Sequence, residues 1–305
     1  MPRDIVAVHA PSPLGLKPPA PGRVPGVWRM PEALREAGLH AALGAKTPAT
    51  VQPPDYIAHR DPVTRVRNHD GIARYSVMLA DVIQPLLNRP EFVLVLGGDC
   101  SIFVGIALAL RRTGRFGVVY IDAHSDCQTP EISGTGGIAG MPLAIATGRG
   151  VPGLANLESR RPFIHEDDVV LLGVRDLFDV VEGDTKTVDA TSIRVRDLTD
   201  IRATGPAAAA GQTLADLESA GVDGIWVHLD VDVLDPRVMP AVDSPDPGGL
   251  FPAELVDLLR PLLASPVVRG MQVTIYDPER DPDARAAAVV VDVLTQALAR
   301  THREK

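Results

Sequence analysis

The chain has 305 residues, 45% of them hydrophobic, and carries 39 acids against 30 Lys and Arg for a formal charge of −9. That apolar share fills a substantial core, while the acidic balance argues against the basic face that nucleic acid or an anionic membrane would need. Two cysteines make no disulfide framework, no apolar run reaches the length of a membrane span, and the opening MPRDIVAVHAPSP has no signal-peptide pattern, so a cytoplasmic protein is expected.

In chain order, DIVAVH (4–9) reads as a strand. The Pro-rich stretch 11–31 reads as a loop, PEALREAGL (31–39) as a helix, and 48–63 as a second loop. A helix over 68–89 precedes the strand FVLVL (92–96), and a helix over 101–112 precedes GVVYI (117–121). Next come a helix over 138–147, the strands DVVLLG (168–173) and SIRV (192–195), and a helix over 206–220. GIWVHLD (224–230), a helix over 252–264, VVRGMQVTIY (267–276) and a helix over 282–301 complete the pattern. Several strands are apolar without alternation, as when helices cover both faces of a parallel sheet. The alternation of β and α, with no linker and no repeat, predicts one doubly wound α/β domain over 1–305 with a mostly parallel central sheet.

Ligands in such sheets collect beyond the carboxyl ends of the strands, and three strand ends here carry unusual chemistry. VLVLGGDCS brings Cys100 after Gly97 and Gly98, glycines that let the backbone turn closely. VVYIDAHSD brings Asp122, His124 and Asp126, which share one face by alternation. WVHLDVDVLDP repeats that alternation with Asp230 and Asp232. Four carboxylates crowded at buried strand ends repel one another unless a cation offsets them, and a cation would hold Cys100 as thiolate. Six donors with bridging carboxylates suit two divalent ions about 3.5–4 Å apart, a pair able to ionise a shared water near neutral pH.

Together GGD-x-S, DAH-x-D and LDVD-x-LDP, in this order, resemble the ureohydrolase family of arginase and agmatinase, from GRVPGVWRMPEALREAGL to PDPGGL. That resemblance implies an arginase-like α/β fold, two metal ions, Mn²⁺ by preference, and hydrolysis of a guanidino C–N bond by a metal-bridging hydroxide. By position, Cys100, Asp122, Asp126 and Asp230 resemble the ligands of one ion, and His124, Asp122, Asp230 and Asp232 those of the other. Asp126 would also orient the hydroxide, with Asp126 and His124 the catalytic pair. Gln128, Thr135 and Ser244 stand where the family contacts the amino-acid end of its substrate, although loop Thr and Ser are more often turn-makers. Asp235 resembles a turn-forming acid, and a homo-oligomer, trimer or hexamer, is implied. His228, two residues before Asp230 on the same strand, could line the pocket but is more readily a satisfied core histidine, and Cys127 reads as packing.

Three positions depart from the family pattern. Cys100 stands where most members have His, and its softer sulfur tilts the site toward Zn²⁺ or Fe²⁺; a branch that includes hydroxyarginine hydrolase is similar in placing Cys there and around YIDAHSDCQTPE. In GGIAGMPLA, Ala139 replaces a proton-shuttling His, and in VTIYDPERD Ile275 holds the place of a Glu that pairs with the guanidinium. These changes point to an intact metal-hydroxide generator with an altered pocket, fitted to a less basic leaving group such as hydroxylamine. The alternatives are a catalytically impaired ureohydrolase-like scaffold and an amidohydrolase acting on a different C–N bond.

Overall fold

The computed structural model describes residues 4–175 and 188–299. Among the described residues, eight strands form one sheet: β1 (Ile5–Ala10), β2 (Lys46–Thr50), β3 (Phe92–Gly97), β4 (Phe116–Ile121), β5 (Val169–Leu172), β6 (Arg194–Arg196), β7 (Gly224–Asp230) and β8 (Val268–Thr274). Their order across the sheet is β2-β1-β3-β8-β7-β4-β5-β6, and every neighbouring pair is parallel. The strands β3 and β4 follow each other in sequence yet are separated in space by β7 and β8. A crevice therefore opens beyond the carboxyl ends of these four central strands.

Alternation within the strands feeds two cores. Leu94, Leu96, Val119, Ile121, Val227 and Leu229 face the helices Met30–Glu36, Pro206–Ser219, Pro252–Ala264 and Arg285–Leu298. Val93, Val95, Val118, Tyr120 and Trp226 face the helices His69–Leu87 and Ile102–Thr113. Because both faces are covered, β3, β4 and β7 are buried at every residue, which is why they read as unbroken apolar runs. Burying each Val or Leu contributes about 1.5–3 kcal/mol. The packing is close enough at Gly270 that an added Cβ would lie 2.4 Å from the Val93 carbonyl oxygen and 2.5 Å from the Trp226 ring.

The doubly wound α/β fold expected from the sequence is present, with three local corrections. KTPAT pairs with β1 as an edge strand, although 48–63 reads as loop; a Pro is tolerated at an edge because one side needs no ladder donor. The helix expected over 138–147 is two pieces, a 3-10 turn Ile138–Gly140 and a helix Pro142–Ala146, parted at Met141 by Pro142, which cannot continue a helix begun before it. The last strand stops at Thr274, two residues before its expected end, because Ile275 turns to φ 76°. Short helices at Leu39–Leu43, Pro152–Ala155 and Leu198–Thr204 were not expected.

Candidate metal centre

The turn after β3 is fixed by packing and by a buried acid. A Cβ on Gly98 would sit 1.9 Å from the Ser12 carbonyl oxygen, so only glycine permits this approach. Asp99, fully buried, accepts from the backbone N–H groups of Gly15 (2.9 Å) and Ser101 (2.8 Å). The turn aims Cys100 Sγ at Asp230 Oδ2, 2.7 Å away, and at Thr274 Oγ1, 3.2 Å away.

At the end of β4, Asp122 Oδ1 accepts from the His124 backbone N–H at 2.7 Å. Asp126 adopts φ 51°, a left-handed conformation uncommon outside glycine and often found at functional sites. Its Oδ2 accepts a 2.6 Å hydrogen bond from the Tyr120 hydroxyl. At the end of β7, Asp230 Oδ1 accepts from the Asp232 N–H (2.8 Å), and Asp232 Oδ1 accepts from the Ala123 N–H (3.2 Å), tying the two strand ends together. His124 Nδ1 lies 3.0 Å from Asp232 Oδ2 and 3.5 Å from Asp122 Oδ1. Arg175 braces the arrangement, its guanidinium donating to the carbonyls of Asp232 (2.7 Å), Val233 (3.1 Å) and Asp246 (2.8 Å).

The donor atoms fall into two groups, each with all members within 4.8 Å of one another: Cys100, Asp122, His228 and Asp230, and Asp122, His124 and Asp232. Asp122 is common to both. Asp126 belongs to neither group, and Asp230 joins only the first.

Electrostatics show what the cluster lacks. Burial, then the neighbouring carboxylates, push Asp126 and Asp230 well above the ordinary carboxylate range. Burial and Asp230 push the Cys100 thiol up. Burial opposes charge on His124, but Asp232 and Asp122 outweigh it and hold its pKa well up. Asp122 Oδ2 is buried with no hydrogen-bond partner. An orphaned carboxylate oxygen among acids that burial drives toward protonation is a cradle for positive charge, and the S, N and O donors fit divalent cations.

Cys100, His124, Asp126, Asp230 and Asp232 line a cavity of about 190 Å³. Gln128, Thr135 and Ser244 line it, as do Ala139 and Ile275. Thr135 Oγ1 also accepts from the Gly137 N–H at 3.0 Å, so it shapes its own turn. Asp235 stays outside the cavity lining: its carboxylate accepts from Arg237 Nε (2.7 Å) and the Gly248 N–H (3.0 Å) and closes the LDP turn. Cys127 packs in the core against the helix-covered face.

The sequence reading missed several residues. Tyr120 sits two positions before Asp122 and shares its face by alternation, a signal that was available. Lys17 and Asp243 line the cavity from loops with no motif around them. His228 is not the satisfied core histidine expected: its ring is fully buried and neither nitrogen has a hydrogen-bond partner.

A family profile described as "Arginase family" matches residues 21–299. The arginase of Bacillus caldovelox is 33% identical over 237 residues, 77% of this chain and 78% of that one. The arginase of Staphylococcus aureus strain COL is 34% identical over 230 residues, 75% of this chain and 74% of that one. The solved structure of the Bacillus caldovelox enzyme superposes with a TM-score of 0.88 at 29% identity, covering 98% of this chain and 99% of that chain.

Proposed function

The chain belongs to the arginase family of hydrolases, and on that premise we propose that it cleaves a C–N bond of a guanidino compound at a pair of divalent cations. The observation that carries this reading is that two donor groups, Cys100, Asp122, His228 and Asp230, and Asp122, His124 and Asp232, share the buried Asp122, whose Oδ2 has no hydrogen-bond partner, beside a cavity lined by Cys100, His124, Asp230 and Asp232.

Cys100, Asp122 and Asp230 would hold one cation, with Asp126 lining the cavity beside them; Asp122, His124 and Asp232 would hold the other. Bound there, the two ions supply the charge that ionises water near neutral pH and stabilises the transition state. Asp126 is assigned the alignment of the attacking water: it lines the cavity, and Tyr120 fixes its Oδ2 from below. His124 keeps its Nδ1 between Asp122 and Asp232, which orients the ring for ligation. Gln128, Thr135 and Ser244 are assigned the far end of the substrate, with Lys17 beside them as a cation for a substrate carboxylate.

The pocket narrows the substrate class. Ala139 offers no proton to a leaving amine, and Ile275 offers no carboxylate to a guanidinium. Both changes favour a guanidino group whose leaving amine is weakly basic, such as N-hydroxyguanidine. Asp243 is the acidic wall left to the cavity beyond the cation-holding cluster. A metal-reconstituted sample assayed on arginine, agmatine and N-hydroxyarginine tests the reading: water adding to the guanidino carbon of the hydroxylated compound, with loss of hydroxylamine and a ureido group left on the chain, is expected in preference to urea release from the other two. Turnover of arginine at least as efficient would contradict the substrate assignment. No urea or hydroxylamine from any of them, with metal bound, would favour the impaired scaffold that Ala139 and Ile275 also fit, and carboxylate release from an amide would favour an amidohydrolase.

A further inference from the structure

His228 lies on β7 two residues before Asp230, on the same face of the strand, and pairs in register with Tyr120 of β4. The Tyr120 ring stacks on it at 3.8 Å with the planes 9° apart, and Phe103 meets it edge-on at 5.7 Å. These contacts fix the plane of an imidazole that is sealed from solvent and donates or accepts no hydrogen bond through either nitrogen. A buried polar atom without a partner costs about 1–3 kcal/mol, and such atoms are rare unless something absent from the protein pairs with them.

The direction of the ring identifies that partner. His228 Nε2 lies 3.6 Å from Asp122 Oδ2, which also has no hydrogen-bond partner. That separation is too long for a hydrogen bond between the two. It does match the edge of a tetrahedral donor set: ligands about 2.0–2.3 Å from one ion lie roughly 3.3–3.8 Å from each other. Cys100 and Asp230 complete the set, all four donor atoms lying within 4.8 Å of one another.

We propose that His228 Nε2 ligates the cation held by Cys100, Asp122 and Asp230. The proposal rests on the metal-centre reading above and goes beyond it, because it supplies from β7 an imidazole on the side where Cys100 supplies sulfur instead. With one thiolate, one imidazole and two carboxylates, this site selects a borderline ion such as Zn²⁺, Co²⁺ or Fe²⁺ over Mn²⁺, whereas the Asp122, His124 and Asp232 site keeps an oxygen-rich set. Tyr120 then has two duties: its ring holds the His228 plane and its hydroxyl holds Asp126.

Two measurements test this. In crystals of the unmodified protein soaked with Zn²⁺ alone, anomalous scattering should place an ion about 2.0–2.1 Å from His228 Nε2 and about 2.3 Å from Cys100 Sγ. An ion bound to Cys100 but beyond about 3 Å from Nε2 would overturn the inference while leaving the metal centre intact; no ion at Cys100 would overturn both. The second measurement is Co²⁺ titration of the metal-free His228→Phe variant, whose ring still stacks on Tyr120 but has no nitrogen. A fold retained by circular dichroism, with a dissociation constant at the Cys100 site raised at least about tenfold, is expected. Wild-type affinity and an unchanged cobalt spectrum would overturn the proposal.

Discussion

Tyr120 donates its hydroxyl hydrogen to Asp126 Oδ2 across 2.6 Å, joining a strand residue buried in the core to an acid that lines the cavity. Tyr120→Phe keeps the ring and its stack but frees Asp126 to rotate. If Asp126 aligns the attacking water, kcat should fall about 10- to 100-fold with KM nearly unchanged. Steady-state kinetics on the best guanidino substrate decide this, and an equal rise in KM would instead point to a role in binding.

Cys100 sets the chemical softness of one site. Cys100→Ser removes the sulfur and should lower retention of Zn²⁺ during dialysis against a chelator by at least about tenfold. Cys100→His should move preference toward Mn²⁺. Competitive loading with equimolar Zn²⁺ and Mn²⁺, followed by elemental analysis, reads both changes. Identical metal ratios in the wild type and both variants would show that the thiol does not ligate.

Ile275 and Ala139 govern the pocket. Ile275 is a β-branched residue at φ 76°, buried, with its N–H donating to the Gly98 carbonyl at 2.8 Å. Because that conformation disfavours Ile, replacement by an unbranched residue loses no backbone stability. Ile275→Glu should lower KM for agmatine about 10- to 100-fold, as expected for a new charge-assisted contact. Ala139→His should raise kcat for substrates with basic leaving amines and leave the hydroxylated substrate nearly unaffected. A double variant without improved activity on agmatine or arginine would refute the pocket assignment.

The pair His9 and His40, Nε2 to Nε2 at 2.9 Å, makes stability acid-sensitive away from the site. Burial, then the nearby His40, lowers His9 to about 4 from its ordinary 6.5, against a smaller opposing pull from Glu32. Between those values the unfolded chain binds the proton and the folded one does not, so stability is full above about pH 6.5 and is lost as pH falls toward 4. His9→Asn should flatten the fall of Tm between pH 7 and 4.5, while acid-sensitive groups common to both proteins cancel in the comparison. Parallel Tm curves would refute the assignment.

The parts of this architecture legible in the sequence are those where a residue announces its own environment. VLVLGGDCS, VVYIDAHSD and WVHLDVD each run from apolar strand into charge, and the fold brings all three to the carboxyl ends of the four central strands, with β8 between the first and the other two. GIWVHLD is a strand over the residues read for it. Other features depend on what lies across the sheet. KTPAT is mostly small and polar and becomes a strand only because β1 offers it an edge. LTDIRAT is a helix of two turns at most, capped by Asp197, and too short to show periodicity. His228 in an apolar run looks like packing; only its register with Tyr120 and the line from Nε2 to Asp122 reveal two unsatisfied atoms facing each other. Arg175 reads as an isolated cation because the carbonyls it binds are more than fifty positions away.

The most direct test of the account is metal stoichiometry on the purified, reconstituted protein, measured by elemental analysis on the same sample assayed for guanidino hydrolysis by release of urea or hydroxylamine. Two divalent ions per chain, with hydrolysis abolished on chelation and restored on reloading, is the predicted result. A protein that binds fewer than one ion per chain, or hydrolyses its substrate undiminished after complete metal removal, would contradict it.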